Sequence, residues 1–251
     1  MTTSRGCPFH CIFCHSGTES YRYRSAKNVV DEMEECKKNF GIEEIDIFDA
    51  TFSLDRERVF DICDEINKRR LKLVWSFRTR VDLVTEEMLP AVAKAGCIRI
   101  YYGIESGDPQ ILKTIKKDVD LNYAKKIIKS TKQNGIQTFA YFMIGSPGET
   151  KETIKMTSKL MNELPLDYVQ IAPVHSPPNT ELYNSLKTII KEDYWVNYTL
   201  HLEEKLLPRF GTSLTDKEIK QYVRKCYLKF YLRPAFLLKI LLRFQSLDEI
   251  N

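Results

Sequence analysis

The residues best able to do chemistry stand at the front of the chain: Cys7, Cys11 and Cys14, within Cys7-Pro8-Phe9-His10-Cys11-Ile12-Phe13-Cys14. Their C-x-x-x-C-x-x-C spacing lets one short loop wrap several corners of an iron-sulfur cube, which is normally held by four thiolates. Here the run stops at three, so one iron of such a cube would lack a protein ligand. An open position on a metal is where a substrate or cofactor can bind and react. A rival reading joins the same cysteines to His10 or His15 in a closed, structural zinc site, although such sites usually bring a second ligand pair from a distant knuckle. A disulfide framework fails, because seven cysteines is an odd number and nothing at the N-terminus resembles a secretory signal. Cys36, Cys63, Cys97 and Cys226 are far apart in sequence and read as small, buried, reduced residues, which fits a reducing cytoplasm.

Composition narrows the partners. With 38 basic and 34 acidic residues, the formal charge of +4 over 251 residues is too mild to make nucleic acid an obligatory partner. No apolar run approaches the length needed to cross a bilayer. The length suits one α/β barrel domain with its own core.

The cysteine loop needs a scaffold, and strand and helix signals alternate to supply one. A strand-like fragment at 2–5 leads into the loop, and Ser25 caps a helix running to about Asn39 and closed by Gly41. Strands are expected at 42–48, 71–78 and 97–102, with helices capped by Asp55 and Thr85 between them. A short helix near 109–115 and a longer one at 122–133 precede a strand at 136–144. That strand is apolar almost throughout, as if covered on both faces. A helix over 149–164 and a strand over 167–172 follow, and beyond Glu181 only helical signal remains, near 215–232 and 235–244. Helical crossovers between strands give a parallel sheet. The expected fold class is α/β, a partial (β/α)6 TIM-like barrel at 1–183 with a helical C-terminal extension at 184–251. Reactive groups in such folds gather at the C-terminal ends of the strands. There the sequence places the cysteine loop, Asp49-Ala50-Thr51, Arg78-Thr79-Arg80, Glu105-Ser106, the loop 145–149 and His175, and order alone predicts one composite site.

With Phe13 as the aromatic before the last cysteine, the segments that carry a resemblance are Ser4-Arg5-Gly6-Cys7-Pro8, Asp49-Ala50-Thr51-Phe52, Thr79-Arg80-Val81-Asp82, Gly103-Ile104-Glu105-Ser106-Gly107 and Gly145-Ser146-Pro147-Gly148-Glu149-Thr150. Together they resemble the radical SAM superfamily over residues 1–183, in particular the cobalamin-associated branch that includes magnesium-protoporphyrin monomethyl ester oxidative cyclases. The resemblance implies that Cys7, Cys11 and Cys14 hold a 4Fe-4S cluster whose fourth iron is chelated by S-adenosylmethionine. Reduction by an external donor such as flavodoxin or ferredoxin would then yield a 5′-deoxyadenosyl radical that acts on an unidentified small molecule. It also implies site roles. Asp49, Ala50 and Thr51 would meet the methionine amino group, mainly through backbone; Glu105 and Ser106 would bind ribose hydroxyls or the methionine carboxylate. The Gly145 to Gly148 turn, with Pro147, would let backbone approach adenine beside Phe13. Of Arg78 and Arg80 at most one is expected to reach a cofactor carboxylate, and Arg80 is favoured. His175 reads either as a substrate-side acid or as a loop histidine.

Two positions depart from the family pattern: Ala50, where relatives usually carry an acid, and Pro178-Asn179-Thr180, where they carry Pro-Gly-Thr. That branch commonly carries a Rossmann-like cobalamin-binding domain before the cysteine loop, whereas six residues precede Cys7 here. The expectation is a piece of a longer chain, or a core that obtains a cobalamin domain elsewhere or works without one. The basic and aromatic stretch 227–244 is expected to pack on the barrel, with peripheral membrane contact as the lesser alternative. The competing function is a zinc-stabilised binding protein on a barrel scaffold.

Overall fold

A computed structural model describes residues 1–190, 193–201, 209–234 and 236–238. The chain opens with β1 (Ser4–Arg5), which pairs antiparallel with β2 (Arg22–Tyr23). Then come α1 (Ala26–Phe40), β3 (Glu44–Ile47), α2 (Arg56–Lys68), β4 (Val74–Arg80), α3 (Met88–Lys94) and β5 (Cys97–Glu105). α4 (Pro109–Thr114), α5 (Leu121–Gln133), β6 (Gln137–Ile144), α6 (Lys151–Glu163) and β7 (Tyr168–Pro173) follow, and α7 (Glu181–Lys187), α8 (Tyr194–His201) and α9 (Asp216–Tyr231) end the described elements.

Strands β3 to β7 form one parallel sheet in sequence order. Every neighbour is also the next strand in the chain, so the sheet winds in one direction like a stretch of barrel wall. The helices start where short polar side chains cap them: Ser25, Asp55, Asp108 and Thr150 accept from the backbone N–H groups of Asn28, Arg58, Ile111 and Thr153. Each such cap contributes about 1 kcal/mol. Thr85 is an exception: its carbonyl, not its hydroxyl, receives the Met88 N–H, and α3 starts at Met88.

Five strands, not six, share the parallel ladder. Ahead of the expected first strand, Met1 meets the end of β3: its ammonium donates to the Asp46 carbonyl and its carbonyl accepts from the Phe48 N–H, both at 2.8 Å. Ser4 and Arg5 then turn away toward β2, and Gly6 enters the cysteine loop at a φ of +76°. A Cβ at Gly6 would lie 2.4 Å from the Ser20 carbonyl oxygen, so only glycine fits this turn.

The core lies between the sheet and its helices. In β6 the buried residues are Thr138, Ala140, Phe142 and Ile144, while Gln137, Phe139, Tyr141 and Met143 on the opposite face stay half-exposed. The strand that reads as doubly covered is therefore covered once. Its second face is apolar because rings and a methionine line an open concave wall, not because a second helical layer sits there.

α9 buries Ile219, Cys226 and Phe230 and seals the β7 edge with two phenols. The Ile171 N–H donates to the Tyr227 hydroxyl at 2.8 Å; Tyr231 accepts from the Val169 N–H at 3.1 Å and donates to its carbonyl at 3.0 Å. The described part of 227–244 thus packs on the barrel; most of 235–244 lies outside the described residues.

Candidate active site

The cysteine loop hangs from an anchor that sequence order did not show. Asp49, directly after β3, turns its carboxylate back to the N-terminal segment. It accepts from the Thr3 N–H at 2.6 Å, the Thr3 hydroxyl at 2.5 Å and the Ser4 hydroxyl at 2.6 Å. Arg58, 3% exposed, completes the anchor by donating to the Thr3 hydroxyl at 2.6 Å and to the Thr3 and Arg24 carbonyls. Its Nη1 has no partner, and the fields of Asp49 and Asp55 favour the buried charge against desolvation. The residues just before Cys7 are fixed by side chains rather than by a strand ladder.

Cys7, Cys11 and Cys14 are all reduced and half-buried, and all three line one cavity of about 420 Å³. Among the described residues no three His, Cys, Asp or Glu side chains converge as ligands of a single ion. Cys7 Sγ lies 3.8 Å from the Thr51 hydroxyl, and Cys11 Sγ lies 3.8 Å from Arg80 Nη1. Burial pushes the Cys11 thiol up, against the opposing fields of Lys117 and Arg80. Of the more distant cysteines, Cys63, Cys97 and Cys226 are buried as expected, and burial pushes Cys63 up to about 12, whereas Cys36 on α1 is only half-buried.

Phe13, Asp49, Ala50, Thr51, Arg80 and Glu105 share that cavity. Arg80 donates to both Asp82 oxygens and to the Lys117 carbonyl at 2.6 Å, and its guanidinium lies 4.0 Å from the centre of the Phe9 ring. Glu105 adopts a φ of +69° and pairs with Lys117 at 2.8 Å, both side chains almost fully buried. Gly103 makes room for this pair, since a Cβ there would come within 2.6 Å of Lys117 Nζ. Arg78 also lines the cavity. Residues two apart on a strand share a face, so Arg78 and Arg80 both reach it, where at most one was expected.

Other expected site residues lie elsewhere. Ser106, 1% exposed, shares a hydrogen bond with Thr157, and a Cβ at Gly145 would meet Ile219 of α9 at 2.8 Å. Pro147 packs near Gly211. None of the three lines the cavity. His175 sits edge-on to Trp195 at 5.2 Å, with its basicity lowered by burial and by Arg209. Sequence reasoning missed the lining rings of Phe9, Phe48, Tyr101 and Tyr141 and, among the charged lining residues, Lys117. Positive φ values at Lys116 (54°) and Asp118 (43°) turn it inward, and no spacing rule flags one lysine in Lys116-Lys117.

Glu149 holds the loop after β6 from within. One carboxylate oxygen accepts from the Gly145 and Ser146 N–H groups, and the other has no partner. Burial pushes this carboxyl up to about 7 from an ordinary value of 4.5. The folded state therefore binds the proton more tightly than the unfolded chain, and stability falls as pH rises from about 4.5 to about 7. Glu149→Gln should remove a pH-dependent loss on the order of 3 kcal/mol across that window. Urea unfolding of both proteins at pH 5 and pH 8 checks it, and equal pH slopes would contradict the assignment.

Residues 1–161 match the family model of the radical SAM superfamily. The chain belongs to that superfamily. This radical SAM chain is 34% identical over 244 residues to an uncharacterized methyltransferase of Pyrococcus horikoshii, a match spanning 95% of this chain and 52% of the relative. It is 30% identical over 239 residues to the anaerobic magnesium-protoporphyrin IX monomethyl ester cyclase of Rubrivivax gelatinosus, spanning 93% of this chain and 42% of the cyclase. It thus spans about half or less of the length of these curated relatives. Among solved structures it resembles the radical S-adenosylmethionine methyltransferase TsrM from Kitasatospora setae, with cobalamin and a 4Fe-4S cluster bound. The TM-score is 0.69 at 22% identity, over 74% of this chain and 36% of TsrM. Methylornithine synthase superposes with a TM-score of 0.58 at 14% identity, over 91% of this chain and 80% of the synthase. The five parallel strands and their helices are the partial TIM barrel of these neighbours. Among the described residues no helix is long and apolar enough to cross a membrane.

Proposed function

We propose that the chain is the catalytic core of a radical SAM enzyme, with Cys7, Cys11 and Cys14 as ligands of a 4Fe-4S cluster. The observation that carries this reading is the placement of three thiols on the wall of one cavity, beside Arg78, Arg80 and Lys117 and with no fourth cysteine among its lining residues. The donor set fits the group: three thiolates suit a cube with one open iron, and Arg80 and Lys117 offset the negative charge that thiolate ligation adds. When bound, the cluster supplies the electron that cleaves the sulfonium of S-adenosylmethionine to a 5′-deoxyadenosyl radical.

The protein's own residues bind, orient and shield. Glu105 is held in a left-handed turn by Lys117, which positions its second oxygen for ribose hydroxyls. Lys117 and Arg80 are the cations available to the methionine carboxylate. Backbone at Asp49, Ala50 and Thr51 faces the methionine amino group, because the Asp49 side chain is already committed to Thr3 and Ser4. Phe13, which lines the cavity, would flank the adenine. Ser106, Gly145 and Pro147 act from behind the wall by shaping the two loops. Residues 1–183 form the core and 184–251 a C-terminal extension, of which α8 and α9 lie among the described residues, in the cytoplasm, with a flavodoxin or ferredoxin as donor. Kinship with an enzyme named as a methyltransferase and another named as a cyclase supports methyl transfer or ring formation, with cobalamin supplied by a separate domain.

Anaerobic reconstitution tests the reading. Near-equal iron and sulfide, with 5′-deoxyadenosine formed on addition of S-adenosylmethionine and dithionite, is expected; zinc bound in place of iron would sink it and favour a zinc-stabilised binding protein.

A further inference from the structure

The end of β4 and the cysteine loop meet at one guanidinium. Arg80 is the last residue of β4 and is 7% exposed. Its Nε and Nη2, which share one edge of the planar group, donate to the two Asp82 oxygens at 3.1 and 2.9 Å. Nη2 also donates to the Lys117 carbonyl at 2.6 Å. The edge turned away from Asp82 carries Nη1, which donates to Cys11 Sγ at 3.8 Å. A guanidinium has five N–H donors; four are placed in this way, and one on Nη1 remains. The Phe9 ring, from the cysteine loop itself, lies 4.0 Å from the guanidinium carbon. The loop therefore holds the cation by a face as well as by a sulfur.

Cys11 is fixed on its backbone side too. The Ile12 N–H donates to the Ile115 carbonyl at 3.2 Å, the Ile12 carbonyl accepts from the Leu182 N–H at 2.8 Å, and the Cys14 N–H donates to the Cys11 carbonyl at 3.0 Å. Sulfur and guanidinium thus face each other from two fixed supports. Cys7 Sγ, by contrast, meets the neutral Thr51 hydroxyl. Lys117 also sends a positive field to Cys11, but its ion-pair partner Glu105 opposes it. Arg80 acts by direct contact, with its carboxylate partner on the far edge.

We infer that Arg80 sets the reduction potential of the proposed cluster from the Cys11 corner, with Asp82 and Phe9 as the residues that position it. The inference rests on the proposed radical SAM reading, which puts a cluster on these thiols. Reduction adds an electron whose charge is shared by the ligand sulfurs. A cation that donates an N–H to one of them stabilises the reduced state and raises the potential. A donor of given potential then reduces a larger fraction of the protein.

A redox titration followed by electron paramagnetic resonance, on the reconstituted full-length chain without S-adenosylmethionine, reads the potential apart from turnover. Arg80→Gln should move the midpoint to more negative values by about a tenfold change in the reduction equilibrium, or 59 mV for one electron. Arg80→Lys keeps the charge but not the fork that holds Asp82 and the sulfur together, and should move it the same way by about threefold. Lys116→Gln removes the same charge from an exposed side chain paired with Glu181 and should leave the midpoint in place. An unshifted midpoint in an Arg80→Gln chain that retains its iron overturns the inference, as does an equal shift in Lys116→Gln. Where Arg80→Gln retains no iron, Arg80→Lys decides by the same sign. A wild-type chain without an iron–sulfur signal removes the radical SAM reading itself, whereas a normal wild-type cluster with unshifted variants removes the role of Arg80 alone.

Discussion

Cys11→Ala should yield a folded protein that carries no iron–sulfur cluster and makes no detectable 5′-deoxyadenosine. Cys11 is half-buried at the cavity wall rather than in the core. Its truncation should therefore cost less than about 1 kcal/mol of stability, in the range of substitutions away from packed interiors. The loss of function is far larger. A cube left with two thiolates loses a corner that no other cysteine lining the cavity can hold. Iron and sulfide per chain should fall to background while the far-ultraviolet circular dichroism stays unchanged. Cys36→Ala is the matched control: Cys36 lies on α1, outside the cavity, and its loss should leave iron content intact. A Cys11→Ala chain that cleaves S-adenosylmethionine at the wild-type rate would overturn the ligand assignment.

Asp49→Ala should be the most destabilising substitution near the site. It strands the donors of Thr3 and Ser4 and takes a carboxylate from the field around buried Arg58. Removing one member of a buried charged network costs about 3–5 kcal/mol, which for a chain of this size lowers Tm by roughly 6–20 °C. Because Thr3 and Ser4 directly precede the cysteine loop, the same change should lower iron retained per folded chain. Asp49→Asn keeps the shape and one acceptor, so it should fall between wild type and alanine on both measures. Amide exchange over residues 1–6 separates the causes: protection unchanged in Asp49→Ala would show that the segment is held by something else.

The helices were legible because their signals are local. Ser25, Asp55 and Gly41 punctuate the sequence at the ends where the structure places their elements. Strand ends were less so: β4 and β5 run on to Arg80 and Glu105, because Thr79 and Arg80 pair with Tyr102 and Gly103, and Gly103 and Glu105 with Tyr141 and Phe142, partners that no local pattern reveals. The cysteine loop declared itself through spacing. Asp49 was legible as a site position but not as an anchor, since its partners lie more than forty residues away at Thr3 and Ser4. Arg58 reads as one more charge in a polar helix until its fit beneath the N-terminal segment is seen. Lys117 depends on two left-handed residues flanking it, and neither is a glycine or asparagine that would have announced the turn.

The phenols of α9 bear on how an open barrel finishes its last strand. An unfinished sheet ordinarily invites another chain to add a strand along its last edge. Tyr231 both gives and takes a hydrogen bond at Val169, and Tyr227 satisfies Ile171, so the recruitable amides of β7 are spent without another strand. The barrel is thereby left open across its concave face and closed along its β7 edge. The cavity and the last edge of the sheet are separate surfaces, so the wall can change its lining without uncovering the amides of Val169 and Ile171.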